Sequence, residues 1–106
     1  MLFYNVSIKV DHEIEDQWID WMKTKHIPDV MNTGQFVESR ICRLIDPPAD
    51  EEGITFIVQY RCESLEKLNF YFENFAPALR EDFNSRYKNK TTLFRTVIEE
   101  IKEFKI

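Results

Sequence analysis

The first ten residues alternate. Leu2, Tyr4, Val6, Ile8 and Val10 fall on one side, and Phe3, Asn5, Ser7 and Lys9 on the other. A period of two is that of a half-buried strand. Asp11 and His12 close it, and either side chain can cap the element that follows. Ile14, Trp18, Trp21 and Met22 then recur at helical spacing, which predicts an amphipathic helix over 13–25. Pro28 disfavours helix at the residue before it, so a bend is expected near His26-Ile27. Pro28 can also open a second short helix, which Gly34 would end with a left-handed residue.

The pattern changes again at Phe36–Ile45, a strand with imperfect alternation. The acidic, proline-bearing stretch Asp46–Gly53 reads as a turn. Ile54–Cys62 alternates cleanly, with Ile54, Phe56, Val58 and Tyr60 on one face and Thr55, Ile57, Gln59 and Arg61 on the other. Ser64 is a good N-cap, and Leu65, Leu68, Phe72, Phe75, Leu79 and Phe83 form a helical stripe that Pro77 should break near Phe75. Thr91–Ile98 favours strand by its Thr, Val, Ile and Phe content, although Phe94, Val97, Ile98, Ile101 and Phe104 also fit a helix.

Strand, helix, strand, strand, helix, strand is the split βαβ order. It predicts an α+β, ferredoxin-like βαββαβ domain over residues 1–106. Its four-stranded antiparallel sheet has both helices on one face. The other face would show Phe3, Asn5, Ser7, Lys9, Thr55, Ile57, Gln59 and Arg61. One of Arg40 and Arg43 joins that face in either register, because their numbers differ by an odd count.

Composition narrows the partners. Nineteen acidic residues against fourteen basic ones give a net charge of −5, with Lys and Arg spread along the chain. That balance argues against nucleic acid. No apolar run approaches the roughly 18 residues that span a bilayer, so no membrane partner is expected and the default location is cytoplasmic. Cys42 and Cys62 would face positions near 57 and 37 in a hairpin about the acidic turn, too far out of register to bridge. His12 and His26 are not at ligand spacing and there is no Cys-x-x-Cys, so neither metal nor cofactor is expected.

His26 is the sharpest chemical candidate. It sits at the expected bend, and imidazole suits proton transfer near neutrality. The plainer reading is a histidine that caps a broken helix. Trp21 could wall a pocket, although two tryptophans three residues apart on an apolar stripe are more often core. Arg40, Arg43, Arg61, Arg80 and Arg95 are candidate anion binders, set against simple pairing with the abundant acids.

Several segments carry a resemblance: Tyr4-Asn5-Val6, Trp18-Ile19-Asp20-Trp21-Met22 running into His26-Ile27-Pro28, Ala76-Pro77-Ala78-Leu79-Arg80, and Phe94-Arg95-Thr96. Together they resemble the small bacterial family called domain of unknown function 4286, over nearly the whole chain. The resemblance implies membership of the wider dimeric α/β-barrel group, in which two sheets pack open face to open face around a cavity. Relatives there include cofactor-free oxygenases, muconolactone isomerases and dye-decolourising haem enzymes. The family has no established activity, so the resemblance implies a fold and a pocket. The expectation is a homodimeric module that binds a small-molecule ligand or serves a structural role. The alternative is a cofactor-independent barrel enzyme, monooxygenase- or isomerase-like, with His26 as acid–base on a small polar or anionic substrate.

Overall fold

A computed structural model describes residues 1–106. Four strands, β1 (Leu2–Asp11), β2 (Glu38–Arg43), β3 (Gly53–Cys62) and β4 (Thr91–Glu99), form one sheet in the order β2-β3-β1-β4. All neighbours are antiparallel. Four helices pack on one face: α1 (Glu15–Trp21), α2 (Ile27–Met31), α3 (Leu65–Asn74) and α4 (Ala76–Tyr87). This is the ferredoxin-like α+β arrangement that the strand and helix order predicts.

Alternation decides which face the helices cover. Along β1, Leu2, Tyr4, Val6, Ile8 and Val10 are all buried, and every intervening residue is half-buried. β3 contributes Phe56, Val58 and Tyr60 to the same side, opposite Ile8, Val6 and Tyr4. Trp18 of α1 is fully buried, its ring 5.1 Å from that of Phe56. Leu68 and Tyr71 of α3 and Phe83 and Tyr87 of α4 close the layer. Not one buried side chain is charged, so this layer is held by apolar burial.

The turn chemistry follows the sequence in most places. Gly34 takes φ +78°, and its N–H donates to the Met31 carbonyl at 3.1 Å, ending α2 as a left-handed cap. Ser64 accepts from the Lys67 N–H at 3.2 Å. Phe75, at φ −121°, breaks the second helical stretch ahead of Pro77. Cys42 lies opposite Ile57, and both cysteines are free thiols.

Four expectations need correction. First, the chain does not leave helical space at His26-Ile27. His26 (φ −67°, ψ −54°) and Ile27 (φ −63°, ψ −44°) are both helical. Met22–His26 instead widen into a π turn between α1 and α2. The wide turn gives the Pro28 ring room against the carbonyl four residues back, so the helix swells rather than breaks. Second, neither Asp11 nor His12 caps a helix. His12 Nε2 lies 2.7 Å from the Asp50 carbonyl, tying the end of β1 to the acidic turn. Third, Leu65 is exposed, and Tyr71 takes an inward position on α3. Fourth, β2 is shorter than Phe36–Ile45: Phe36 belongs to the core ahead of the strand and Ile45 lies beyond its end in solvent.

Candidate functional site

The π turn fixes the position of His26. A π turn shifts the register of the side chains that follow it, and here it directs the imidazole in under the helices. The ring stacks on Trp21 (centroids 5.0 Å apart, planes at 27°) and meets the Phe83 ring edge-on at 5.7 Å. Its Nδ1 is buried and has no hydrogen-bond partner. Burial is the largest influence on its titration and lowers the pKa from 6.5 to about 4, against smaller upward pulls from Asp82 and Asp29. The imidazole is therefore neutral at physiological pH.

His26 lines a cavity of about 40 Å³ between the helices and the covered face of the sheet. That is room for a few water molecules or one end of a small ligand. Most of the lining is hydrophobic, with Val6 and Ile8 of β1, Leu79 of α4 and Leu93 of β4 among it. The polar part consists of His26, Arg80, Arg95 and the tyrosines Tyr4, Tyr60 and Tyr71.

Arg80 rises from α4. Its Nη2 donates to the Tyr4 hydroxyl over 3.5 Å, and its guanidinium lies 5.7 Å from the centre of the Phe72 ring. Its Nε is buried without a partner. Arg95 sits opposite Val6 and so shares the covered face, at the sheet edge where it is exposed. Burial pushes the Tyr60 and Tyr71 phenols well above the ordinary value of 10, so both stay protonated. Arg80 and Arg95 both act on Tyr71 electrostatically, and Arg95 also acts on His26. These groups therefore converge on one space.

The remaining candidates lie elsewhere. Trp21 does not line the cavity; it backs His26, with the Arg86 guanidinium 5.3 Å from its own ring centre. Strand alternation puts Arg40 and Arg61 on the open face, where Arg40 faces Gln59 and Arg61 pairs with Glu38 at 2.5 Å. Arg43 shares the covered face but lies at the far end of the sheet, over Phe56 at 5.5 Å and 4.0 Å from Glu15. Of the five arginines, only Arg80 and Arg95 reach the cavity that holds His26. Sequence reasoning missed the tyrosines as site residues. The available signal was tyrosine, rather than phenylalanine or leucine, at the inward positions 4 and 60, since a buried phenol calls for a polar neighbour.

Residues 1–101 match the model of a family described as Domain of unknown function (DUF4286). No curated protein matches the sequence. Among solved structures, the chain resembles a protein of the ethyl tert-butyl ether d (EthD) family from Bacillus halodurans. The TM-score is 0.71 at 15% identity, covering 95% of this chain and 100% of the other. A dimeric ferredoxin-like protein from an uncultured marine organism gives a TM-score of 0.72 at 7% identity, with 97% of each chain covered. A mutant form of SnoaB, a cofactor-independent oxygenase from Streptomyces nogalater, gives 0.65 at 9% identity, covering 96% of this chain and 95% of that one. At these identities the likeness is one of fold. No helix is long and apolar enough to cross a membrane.

Proposed function

Since the chain belongs to the DUF4286 family, for which no activity comes with the name, we propose from its geometry that it is a small-molecule-binding module. The ligand sits between the helices and the sheet, and the module works as a homodimer in the cytoplasm. The observation that carries this reading is the cavity itself. A well-packed layer leaves few voids, and apolar ones lack polar lining. This one gathers an unpartnered imidazole, two guanidinium groups and three phenols. Conserving volume with apolar side chains would be the simpler way to fill it, so the polar groups point to a bound partner.

The open face supports pairing. Register places Phe3, Ile57, Phe94 and Ile98 on it, and Phe94 and Ile98 are 64% and 49% exposed. A second copy placed face to face would cover them. Two solved relatives of this fold are described as dimeric ferredoxin-like proteins. The free thiols of Cys42 and Cys62 accord with a reducing compartment.

The test is a ligand screen against melting temperature, since a compound that binds only the native state raises it. Hits are expected for the wild type and lost in Leu93→Trp, which fills the cavity from the edge strand. The absence of hits, or hits that survive Leu93→Trp, would remove the reading. Light scattering should give about twice 12.8 kDa. Phe94→Lys should shift it to the monomer mass.

A cofactor-independent enzyme is the second reading. It is favoured by His26 lying in the cavity beside Arg95 and the phenols. A pKa of about 4 makes the imidazole a weak base while the cavity is empty, which is why binding is preferred. Under the enzyme reading, incubating a screen hit with the protein should consume it, and His26→Asn should stop consumption while preserving the melting shift.

A further inference from the structure

Resting on the cavity reading above, we propose that the ligand is a small apolar monocarboxylate whose carboxylate is held between Arg80 and Arg95. The argument begins with charge. The chain carries more acids than bases, and three of its six arginines have a carboxylate: Arg61 has Glu38 at 2.5 Å, Arg86 has Asp82 at 3.6 Å, and Arg43 has Glu15 at 4.0 Å; Arg40, exposed on the open face, has none. Arg80 and Arg95 have none within 4.0 Å, and no Asp or Glu lines their cavity. The acids closest in effect to His26 are already engaged, Asp29 with Lys25 at 2.5 Å and Asp82 with Arg86.

The polar inventory points the same way. A guanidinium only donates, and the phenols of Tyr60 and Tyr71 are kept protonated and can donate. The buried Nε of Arg80 has nothing to donate to. A neutral His26 adds no positive charge of its own but can accept from or donate to a ligand. A donor-rich, acceptor-poor space next to two uncompensated cations suits an anion with two acceptor oxygens, which guanidinium groups bind bidentately. The hydrophobic majority of the lining suits the rest of such a molecule, and a cavity of about 40 Å³ keeps it small.

Binding of acetate and propionate to the full-length chain, against acetamide and propionamide, tests this by calorimetry. The acids should bind at least about tenfold more tightly than their amides, which keep the shape and lose the charge. Arg95→Gln and Arg80→Gln should each weaken the acids at least about tenfold and weaken the amides, which keep one acceptor oxygen but no charge, by a smaller factor. Arg95 stands at an exposed sheet edge, so its variant keeps the fold if Arg80→Gln does not. Equal binding of acids and amides, or full acid binding by Arg95→Gln, overturns the carboxylate inference and leaves the cavity reading standing. No binding of either series up to millimolar concentration, with no other small molecule shifting the melting temperature, overturns both.

Discussion

The two faces of the sheet are built from the same strands, one residue out of step, and they solve opposite problems. On the covered face, Tyr4, Val6, Ile8, Phe56, Val58 and Tyr60 are all buried. Its arginines at the cavity have no acid partner. On the open face, Phe3, Asn5, Ser7 and Lys9 are half-buried; Arg61 pairs with Glu38 and Lys9 with Asp50, and the exposed Arg40 faces Gln59 with no acid partner. Water screens the unpaired Arg40 and Arg95, which are exposed, but Arg80 is half-buried and has no acid beside it. An uncompensated cation near low-dielectric surroundings is costly unless something occupies it. The contrast locates the site better than the size of the cavity does.

Deleting an aromatic ring from each face gives the largest expected difference. Trp18→Ala removes a fully buried indole packed on Phe56 and should cost about 3–5 kcal/mol of unfolding free energy. Phe94→Ala removes a ring that is 64% exposed and should change the isolated chain by less than about 0.5 kcal/mol. Urea denaturation at low protein concentration measures both. Similar losses for the two would mean that the faces are not the unlike surfaces the register makes them.

Acid should separate the faces next. His26 on the covered side has its pKa lowered from 6.5 to about 4 by burial. Between those values the unfolded chain binds a proton that the folded chain refuses, so stability falls as pH drops from about 6.5 towards about 4. The full effect is on the order of 3 kcal/mol by the usual 1.36 kcal/mol for each pH unit. His26→Gln should remove most of that slope. Asp50, held to about 2 chiefly by its hydrogen bond from Lys9, loses its contribution only below its ordinary 3.8, outside this window. His12 has the opposite sign: its pKa is raised, chiefly by its bond to the Asp50 backbone, and its contribution fades as pH rises through the folded value. Equal losses of stability between pH 7 and pH 4.5 in the ligand-free wild type and in His26→Gln would show that His26 is more hydrated than its packing implies.

The comparison also shows what the sequence could reveal. Period two in β1 and β3 assigns each residue to a face, which is why the open-face positions and the Cys42–Ile57 register follow from numbering alone. The cavity does not follow from it. Arg80 and Arg95 are 15 positions apart, on α4 and β4, and nothing local says that they meet. Pro28 and Pro77 carry the same steric instruction, yet the first is absorbed by a π turn and the second ends a helix at Phe75. The difference lies in tertiary packing: Trp21, Met22 and Val30 are buried on both sides of the wide turn, and breaking the helix there would expose them. His26 was legible as a special position through that proline, but its inward direction depends on a widened turn that helical spacing does not encode.

A small effect is also expected for the ion pair on the open face, and it sharpens the comparison by its size. Arg61 and Glu38 meet at 2.5 Å across β3 and β2, with their side chains 33% and 53% exposed. Water and salt screen such a pair, and holding two long side chains in place has an entropic cost, so exposed pairs contribute about 0–1 kcal/mol. Glu38→Gln should therefore lower stability by less than about 1 kcal/mol, and raising the salt concentration should shrink the loss further. A double-mutant cycle with Arg61→Gln isolates the coupling from the separate burial of the Arg61 Nε, which has no partner of its own. A coupling above about 2 kcal/mol that resists salt would mean that the pair is shielded from water, as it would be inside a dimer interface. Repeating the cycle in the Phe94→Lys background distinguishes the two situations: a coupling set by the chain alone is unchanged, and one set by a second copy falls towards the exposed-pair value.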